Sequence, residues 1–172
     1  MRVLRWRRFF GRCRTRRRCA LTDIGDLRQG LLLLETAVEQ DPSNAQAWAA
    51  LGSSKILARR TLEGVADLQH SIRISPLDSR LAVWGSFLAF GLILSGDLEG
   101  ALSEAETACR RDIRNHLPKV MASAIAIAAG NREQARLALD DAYRVRPELS
   151  EDEIVCLVGE RSLAAMKAHS LI

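Results

Sequence analysis

The chain has 172 residues, of which 48% are hydrophobic and 27% charged; this composition excludes a disordered chain and allows a sizeable core. Only 5% of the residues are aromatic, whereas Ala and Leu are abundant, so an all-helical fold is expected. The four cysteines are too few for a disulfide scaffold and predict a reducing compartment, so a cytoplasmic location is expected. The longest uncharged stretch, residues 81–96, is shorter than the roughly 20 residues that span a bilayer, so no transmembrane helix is expected.

Residues 1–20 differ from the rest of the chain in charge. They contain nine arginines and no acidic residue, so the formal net charge of +4 comes from this tail and the remainder of the chain is acidic. The simplest interpretation is a disordered, Arg-rich extension. An organellar transit peptide is an alternative, and so is a basic arm through which nucleic acid or an anionic membrane would be a partner. A twin-arginine export signal is excluded because no apolar stretch follows Arg7 and Arg8.

Residues that form turns recur with one period after the tail. Pro42 and Pro76 are 34 residues apart, and Gly96 and Gly130 are also 34 apart. A three-residue insertion at residues 79–81 separates the two sets. Because Pro and Gly mark the ends of helices, this period predicts repeated units of two helices each.

The clearest unit covers residues 45–78. Counted from its first residue, Trp48 is at position 4, Gly52 at position 8, Gly64 at position 20 and Pro76 at position 32. This pattern resembles the tetratricopeptide repeat (TPR). Small residues at positions 8 and 20 let the two helices of such a hairpin approach closely, and bulky residues fill the seam between them. Trp48 is therefore expected to be buried between the helices of its own hairpin.

The resemblance extends to three further units. A half repeat at residues 25–44 supplies a second helix without a convincing first helix, and two repeats follow at residues 82–115 and 116–149. In the former repeat, Ile113 stands where proline is expected. The resemblance implies that residues 21–149 form an all-α, TPR-type solenoid, in which antiparallel helix hairpins wind into a right-handed superhelix.

Helix starts are marked by residues whose side chains cap backbone N–H groups. Asp26, Asp97 and Asn131 stand where the N-caps of second helices belong. Ser150 with Glu153 forms the pattern of a capping box. Residues 150–172 are therefore expected to be C-terminal capping helices, at 151–158 and about 162–170, which cover the last apolar face of the solenoid.

The sequence carries no pattern typical of catalysis. His70, His116 and His169 fall at different repeat positions, and Cys13 and Cys19 are too far apart for a zinc knuckle. There is no glycine-rich phosphate loop and no nucleophile elbow. We therefore expect neither enzyme activity nor a metal ion or other cofactor.

The TPR resemblance implies that a partner binds the concave face, which positions 2, 5, 9, 12 and 13 of each first helix form. These positions are mostly apolar here, and the Lys and Asn residues with which related proteins clamp the carboxylate of a chaperone tail are absent, which argues against that partner. An apolar groove can accept a helix or an extended peptide from another protein. It can equally be filled by a flanking helix of the same chain or by a second copy in a homodimer, or its residues can be internal packing. The predicted groove residues are Ile56, Leu57, Val83, Ser86, Phe90, Ile93, Leu94, Leu117, Val120 and Ile127.

Two functional hypotheses follow. The first is a non-catalytic scaffold that binds a protein or peptide in the apolar groove. The second arises because residues 75–112 are similar to the C-terminal TPR segments behind bacterial adenylate or guanylate cyclase domains and winged-helix regulators. In that case the chain is a regulatory or sensory segment of such a protein, and this resemblance implies that the cytoplasm is bacterial.

Overall fold

The computed structural model describes residues 27–172, with the exception of the Cys156 and Glu160 side chains. The predicted disordered tail at 1–20 and the predicted N-cap Asp26 lie outside the described residues. Within residues 27–172 every regular element is a helix, as predicted. The helices are α1 (Leu27–Gln40), α2 (Ala45–Leu57), α3 (Thr61–Ile74), α4 (Leu81–Leu94), α5 (Leu98–Arg111), α6 (His116–Ala128), α7 (Arg132–Val145) and α8 (Glu151–Ala168).

The helices belong to two compact units, which divide between Asp78 and Ser79. In the first unit, α2 and α3 form a hairpin and α1 packs on α2. In the second unit, α4 pairs with α5 and α6 pairs with α7. Helix α6 also packs against α4, α5 and α8, which makes it the centre of the second unit.

One turn geometry joins the two helices of each hairpin. The residue at its centre has a positive φ, which is 64° at Arg59, 90° at Gly96 and 79° at Gly130. The N–H groups of this residue and of the next one donate to carbonyl oxygens in the last turn of the first helix, at 2.8 to 3.2 Å. This helix end suits glycine, whereas a side chain such as that of Arg59 is strained there.

We predict that Arg59→Gly stabilises the protein by roughly 0.5–1 kcal/mol, because relief of the left-handed strain exceeds the entropy that glycine adds to the unfolded chain. Urea denaturation measures the change. Gly130→Arg is the reciprocal control, since a Cβ at Gly130 would meet nothing within 4 Å and only the backbone conformation is altered. A loss of stability in Arg59→Gly would contradict this account of the turn.

The predicted close contact between hairpin helices is confirmed at Gly52 and Gly64. A Cβ on Gly52 would lie 2.7 Å from the Gly64 carbonyl oxygen and 2.9 Å from Cγ of Leu68. In the α6–α7 hairpin the equivalent residues are Ser123 and Ala135, both fully buried. The Ser123 hydroxyl has no hydrogen-bond partner there, so the crossing accepts a small side chain but leaves this polar group unsatisfied.

Substitution by alanine at position 8 should therefore have opposite effects in the two hairpins. We expect Gly52→Ala to cost about 1–3 kcal/mol through overpacking. We expect Ser123→Ala to stabilise the protein by about 1 kcal/mol, because it removes an unsatisfied buried hydroxyl and adds a better helix former. Chemical denaturation of both variants tests this pair of signs, and destabilisation by Ser123→Ala would show that the hydroxyl has a partner.

The expectation that Trp48 is buried between the helices of its own hairpin is wrong. Trp48 is half-buried and packs against the apolar cluster that α1 and α2 share. Its indole Nε1 donates to the Pro42 carbonyl at 2.9 Å, and its ring meets that of His70 on α3 edge to face, with centroids 4.7 Å apart. The indole N–H needs an acceptor, which the loop before α2 provides, so the ring lies towards the edge of the hairpin.

Side-chain caps form at three of the predicted helix starts. The side chains of Asp97 and Asn131 accept from backbone N–H groups of α5 and α7, and Ser150 with Glu153 makes both bonds of the capping box at α8. Helix α8 is broken at Gly159, where φ is 83°. Lys167 Nζ lies 2.6 Å from a carboxylate oxygen of Glu151, although 16 residues of straight helix would separate them by about 24 Å. The two halves of α8 therefore fold back on each other.

Candidate functional site

The predicted groove residues divide into a buried set and a surface set. Ile56, Ser86, Leu117 and Val120 are at most 3% exposed and belong to the core. The surface set keeps accessible area, with Leu57 and Leu94 each 54% exposed and the others half-buried. The half-buried members are Val83, Phe90, Ile93 and Ile127.

Packing between neighbouring helices explains the buried set. In the second unit α6 lies between α4 and α8, so positions 2 and 5 of its repeat, Leu117 and Val120, have no free side. The Ser86 hydroxyl donates to the Ala82 carbonyl at 2.7 Å, which satisfies it inside its own helix. These contacts are tertiary, and repeat position alone does not predict burial, since Val83 at position 2 is half-buried whereas Ile56 at position 12 is core.

The C-terminal helix α8 covers the groove positions of the third repeat. Its buried residues Ile154 and Met166 form one cluster with Val120, and Ala124 at position 9 packs against this cluster. Arg146 holds α8 in place through an ion pair with Glu153, at 2.6 Å. The protein's own flanking helix thus occupies this part of the predicted groove.

The surface that stays accessible in the second unit is an apolar strip on α4. Val83, Phe90, Ile93 and Leu94 lie on one face of this helix, and we call them the α4 strip. Helix α4 contains no charged residue, and α6, with Ile127 near its end, packs beside it. Because a helix that is apolar on all sides is normally buried, the accessible area of these side chains marks a candidate binding surface.

In the first unit the residues near the groove are more polar. Lys55 precedes Ile56 on α2, and its Nζ lies 2.7 Å from an Asp67 carboxylate oxygen on α3. Burial raises the pKa of the Asp67 carboxyl, and the Lys55 ammonium opposes that shift. The two charges pair with each other within the hairpin, so this ion pair links α2 to α3. Leu57 is the predicted groove residue of the first unit that remains accessible.

A second candidate site, which the sequence did not predict, is a cleft between α5 and α7. This cleft has a volume of about 260 Å³, and Ala122 and Lys119 of α6 are among the residues that line it. The Lys119 ammonium is satisfied by the carbonyl oxygens of Ile113 and Asn115, at 2.9 and 3.3 Å. The cleft contains the Cys109 thiol, whose pKa is raised by burial. No sequence motif marks such a cleft, because its walls come from two different repeats.

The raised pKa of Cys109 predicts slow reaction with alkylating reagents. The thiolate is the reactive form, so in a variant that keeps Cys109 and has serine at the other three cysteines, labelling by iodoacetamide at neutral pH should be slower than that of an unfolded control. The rate should reach half of its maximum at a higher pH than for a free cysteine. Rates measured from pH 7 to 10 check this, and a midpoint below the free-cysteine value would contradict burial as the dominant influence.

The histidines do not come together in the structure. His70 contacts Trp48, His116 begins α6 and His169 follows α8. Burial lowers the pKa of His116, and the positive charge of Arg146 lowers it further. Among the residues that the structure describes, no group of three or more His, Cys, Asp or Glu side chains could hold a metal ion. In the same range no helix is both long and apolar enough to cross a membrane.

Solved structures with the same arrangement of helices establish the fold. TTC0263, a thermophilic TPR protein in Thermus thermophilus, superimposes with a TM-score of 0.69 at 19% identity over 90% of this chain and 87% of that chain. The chain has the TPR fold. MamA matches with a TM-score of 0.64 at 12% identity over 88% of this chain and 91% of that one. YrrB, a TPR protein with an unusual peptide-binding site, matches with a TM-score of 0.60 at 14% identity, over 88% and 80% of the two chains. No protein-family model matches the chain.

Proposed function

We propose that this TPR protein is a non-catalytic scaffold that binds an apolar helix or an extended peptide of another protein on the α4 strip. The observation that carries the proposal is the accessible apolar area of an uncharged helix, with Leu94 more than half exposed. Exposed leucines are common on protein surfaces when they occur singly. Here four apolar side chains share one face, and such contiguous patches mark interaction sites.

The shape of the strip indicates which residues contribute to binding. Phe90 and Ile93 are half-buried, so their positions are fixed by the packing of α4. Leu94 extends from the end of the helix, and Leu98, which is 46% exposed, follows at the start of α5. Binding energy concentrates on pre-positioned aromatic and large apolar side chains near the centre of an interface. Phe90 is accordingly proposed as the anchor, with Leu94 at the rim.

The chemistry of the strip also restricts the partner. It offers no side-chain charge to recognise a carboxylate, so an acidic chain end gains no specific contact from α4. An amphipathic helix that presents apolar residues at intervals of three and four can lay that face along the strip. YrrB has a peptide-binding site in the same fold, which supports a peptide as the type of ligand.

A matched pair of variants tests the proposal. Leu94 on α4 and Leu137 on α7 are 54% and 55% exposed, so a change to glutamate introduces the same charge at equal exposure on two different helices. We expect both variants to keep their thermal midpoint within about 4 °C, the equivalent of ~1 kcal/mol at this size. The wild type captures partner proteins from its source cells, and their amounts are measured by quantitative mass spectrometry. With Leu94→Glu the captured amount should fall at least tenfold. With Leu137→Glu it should stay unchanged.

If Leu137→Glu loses the partners and Leu94→Glu keeps them, the binding site is the cleft between α5 and α7, because Leu137 lines that cleft. Retention of every partner by both variants would refute binding at either surface. Phe90→Ala provides a second measurement for the anchor. If Phe90 contacts the partner, Phe90→Ala should reduce the amount of captured partner while the thermal midpoint changes little. If Phe90 is purely structural, the captured amount should fall only together with the thermal midpoint.

A further inference from the structure

The cleft between α5 and α7 combines apolar walls with a buried positive charge. Leu102 and Ala105 of α5 and Ala138 of α7 line it, together with Ala122 and Lys119 of α6. Lys119 is only 7% exposed. Mostly apolar walls with a few fixed polar groups are typical of sites that bind small molecules.

The positive charge of Lys119 has no counterion among the described side chains. Its ammonium donates to the carbonyl oxygens of Ile113 and Asn115, and these two bonds use two of its three N–H donors. The carbonyl groups are neutral, so they hold the ammonium in place without balancing its charge. A buried charge is costly unless an opposite charge accompanies it. The third donor and the unbalanced charge are therefore suited to an anionic group.

The two carboxylates that line the cleft already pair with other side chains. Glu106 forms an ion pair with Arg110 at 3.4 Å, and Asp141 forms one with Arg144. The charges of these two pairs cancel, which leaves the charge of Lys119 in excess. Charge complementarity at the cleft therefore favours a ligand with one negative charge.

Lys119 lies at the inner part of the cleft, close to the Cys109 thiol. Burial raises the pKa of this thiol, and the charge of Lys119 opposes that shift, so the two groups are neighbours. Neither residue is exposed, whereas Arg110 and Leu137 are exposed residues of the same cleft. An anion held by Lys119 would thus have the rest of its body between the apolar walls.

The size of the cleft limits the ligand to a small molecule. Its volume is about 260 Å³. An apolar cavity of about 150 Å³ is enough to hold benzene, so one ring with a short substituent fits here. Gln134 Nε2 on α7 donates to Glu106 on α5 at 2.9 Å and connects the two walls. A partner helix, about 10 Å in diameter, is too wide for this space.

We propose that the cleft binds a small monocarboxylate, whose carboxylate accepts from the Lys119 ammonium and whose apolar body lies against Ala105, Ala122 and Leu137. The body is about the size of one aromatic ring. This site is formed by α5, α6 and α7, and the proposal does not depend on the function proposed for the α4 strip.

Protection of Cys109 from alkylation measures binding in the full chain. In the variant that keeps Cys109 and has serine at the other three cysteines, phenylacetate should slow labelling by iodoacetamide in a saturable manner, because the bound ligand covers the thiol. Phenylacetamide has the same shape without the charge and should bind at least tenfold more weakly. Acetate at the same ionic strength has the charge without the apolar body and should give no protection at millimolar concentration.

Two substitutions in the same background test the contacts. Lys119→Gln keeps a donor for the carbonyl oxygens and removes the charge, so it should bind phenylacetate no better than phenylacetamide. Because this variant can lose stability, Leu137→Glu is a second one. It adds a negative charge to the cleft at a residue that is 55% exposed, and it should weaken phenylacetate binding at least tenfold. Leu94→Glu, at 54% exposure on α4, is the matched control and should bind as the wild type does.

Three results would overturn the proposal. The first is a lack of protection by phenylacetate, benzoate and 4-methylpentanoate at millimolar concentration, and the second is equal protection by phenylacetate and phenylacetamide. The third is loss of captured proteins in Leu137→Glu, which would assign the cleft to a protein partner. The α4 strip is tested by Leu94→Glu, so the two proposals can fail separately.

Discussion

The close approach of the two helices in each hairpin is the contact on which the rest of the structure depends. At Gly52 and Gly64 the backbones come so near that a single methyl group on either residue would meet a carbonyl oxygen. This spacing brings Leu68 against α2, where it is fully buried, and it fixes where the first helix must end and the second begin. The turn at positions 15 and 16 repeats the same hydrogen bonds in all three described hairpins, even where Arg59 has to adopt a strained conformation.

Successive second helices are held by a polar contact that also recurs. A glutamate at repeat position 25 accepts from a residue at the start of the next second helix, which is the N-cap Arg60 in one case and Gln134 of the first turn in the other. In the first unit, Arg60 Nη1 contacts Glu35 at 3.1 Å, and in the second unit Gln134 Nε2 donates to Glu106 at 2.9 Å. These contacts are exposed and each is worth little energy, so they set the register of neighbouring hairpins more than they stabilise them.

The same packing decides how much of the groove remains for a partner. Side-by-side first helices bury Leu117 and Val120, and α8 adds Ile154 and Met166 to that cluster. The α4 strip keeps accessible area at Val83, Phe90, Ile93 and Leu94, and its repeat positions alone do not explain this, since Ile56 at position 12 of the first unit is buried. The surface that we propose for a partner is thus the part of the predicted groove that the packing of the second unit leaves accessible.

The sequence by itself determined the hairpins, their small crossing residues and their caps. Each of these features depends on a local requirement, which is visible in the sequence as a residue type at a fixed spacing. The turn needs a positive φ, the helix crossing needs glycine or alanine, and the helix start needs Asp, Asn or Ser. Only the tertiary structure decided that Trp48 is half-buried, that four of the ten predicted groove residues are core, and that a cleft lies between α5 and α7. Burial depends on which helices become neighbours and how closely they pack, and a repeat pattern gives the same residue types whether or not a neighbouring helix covers them.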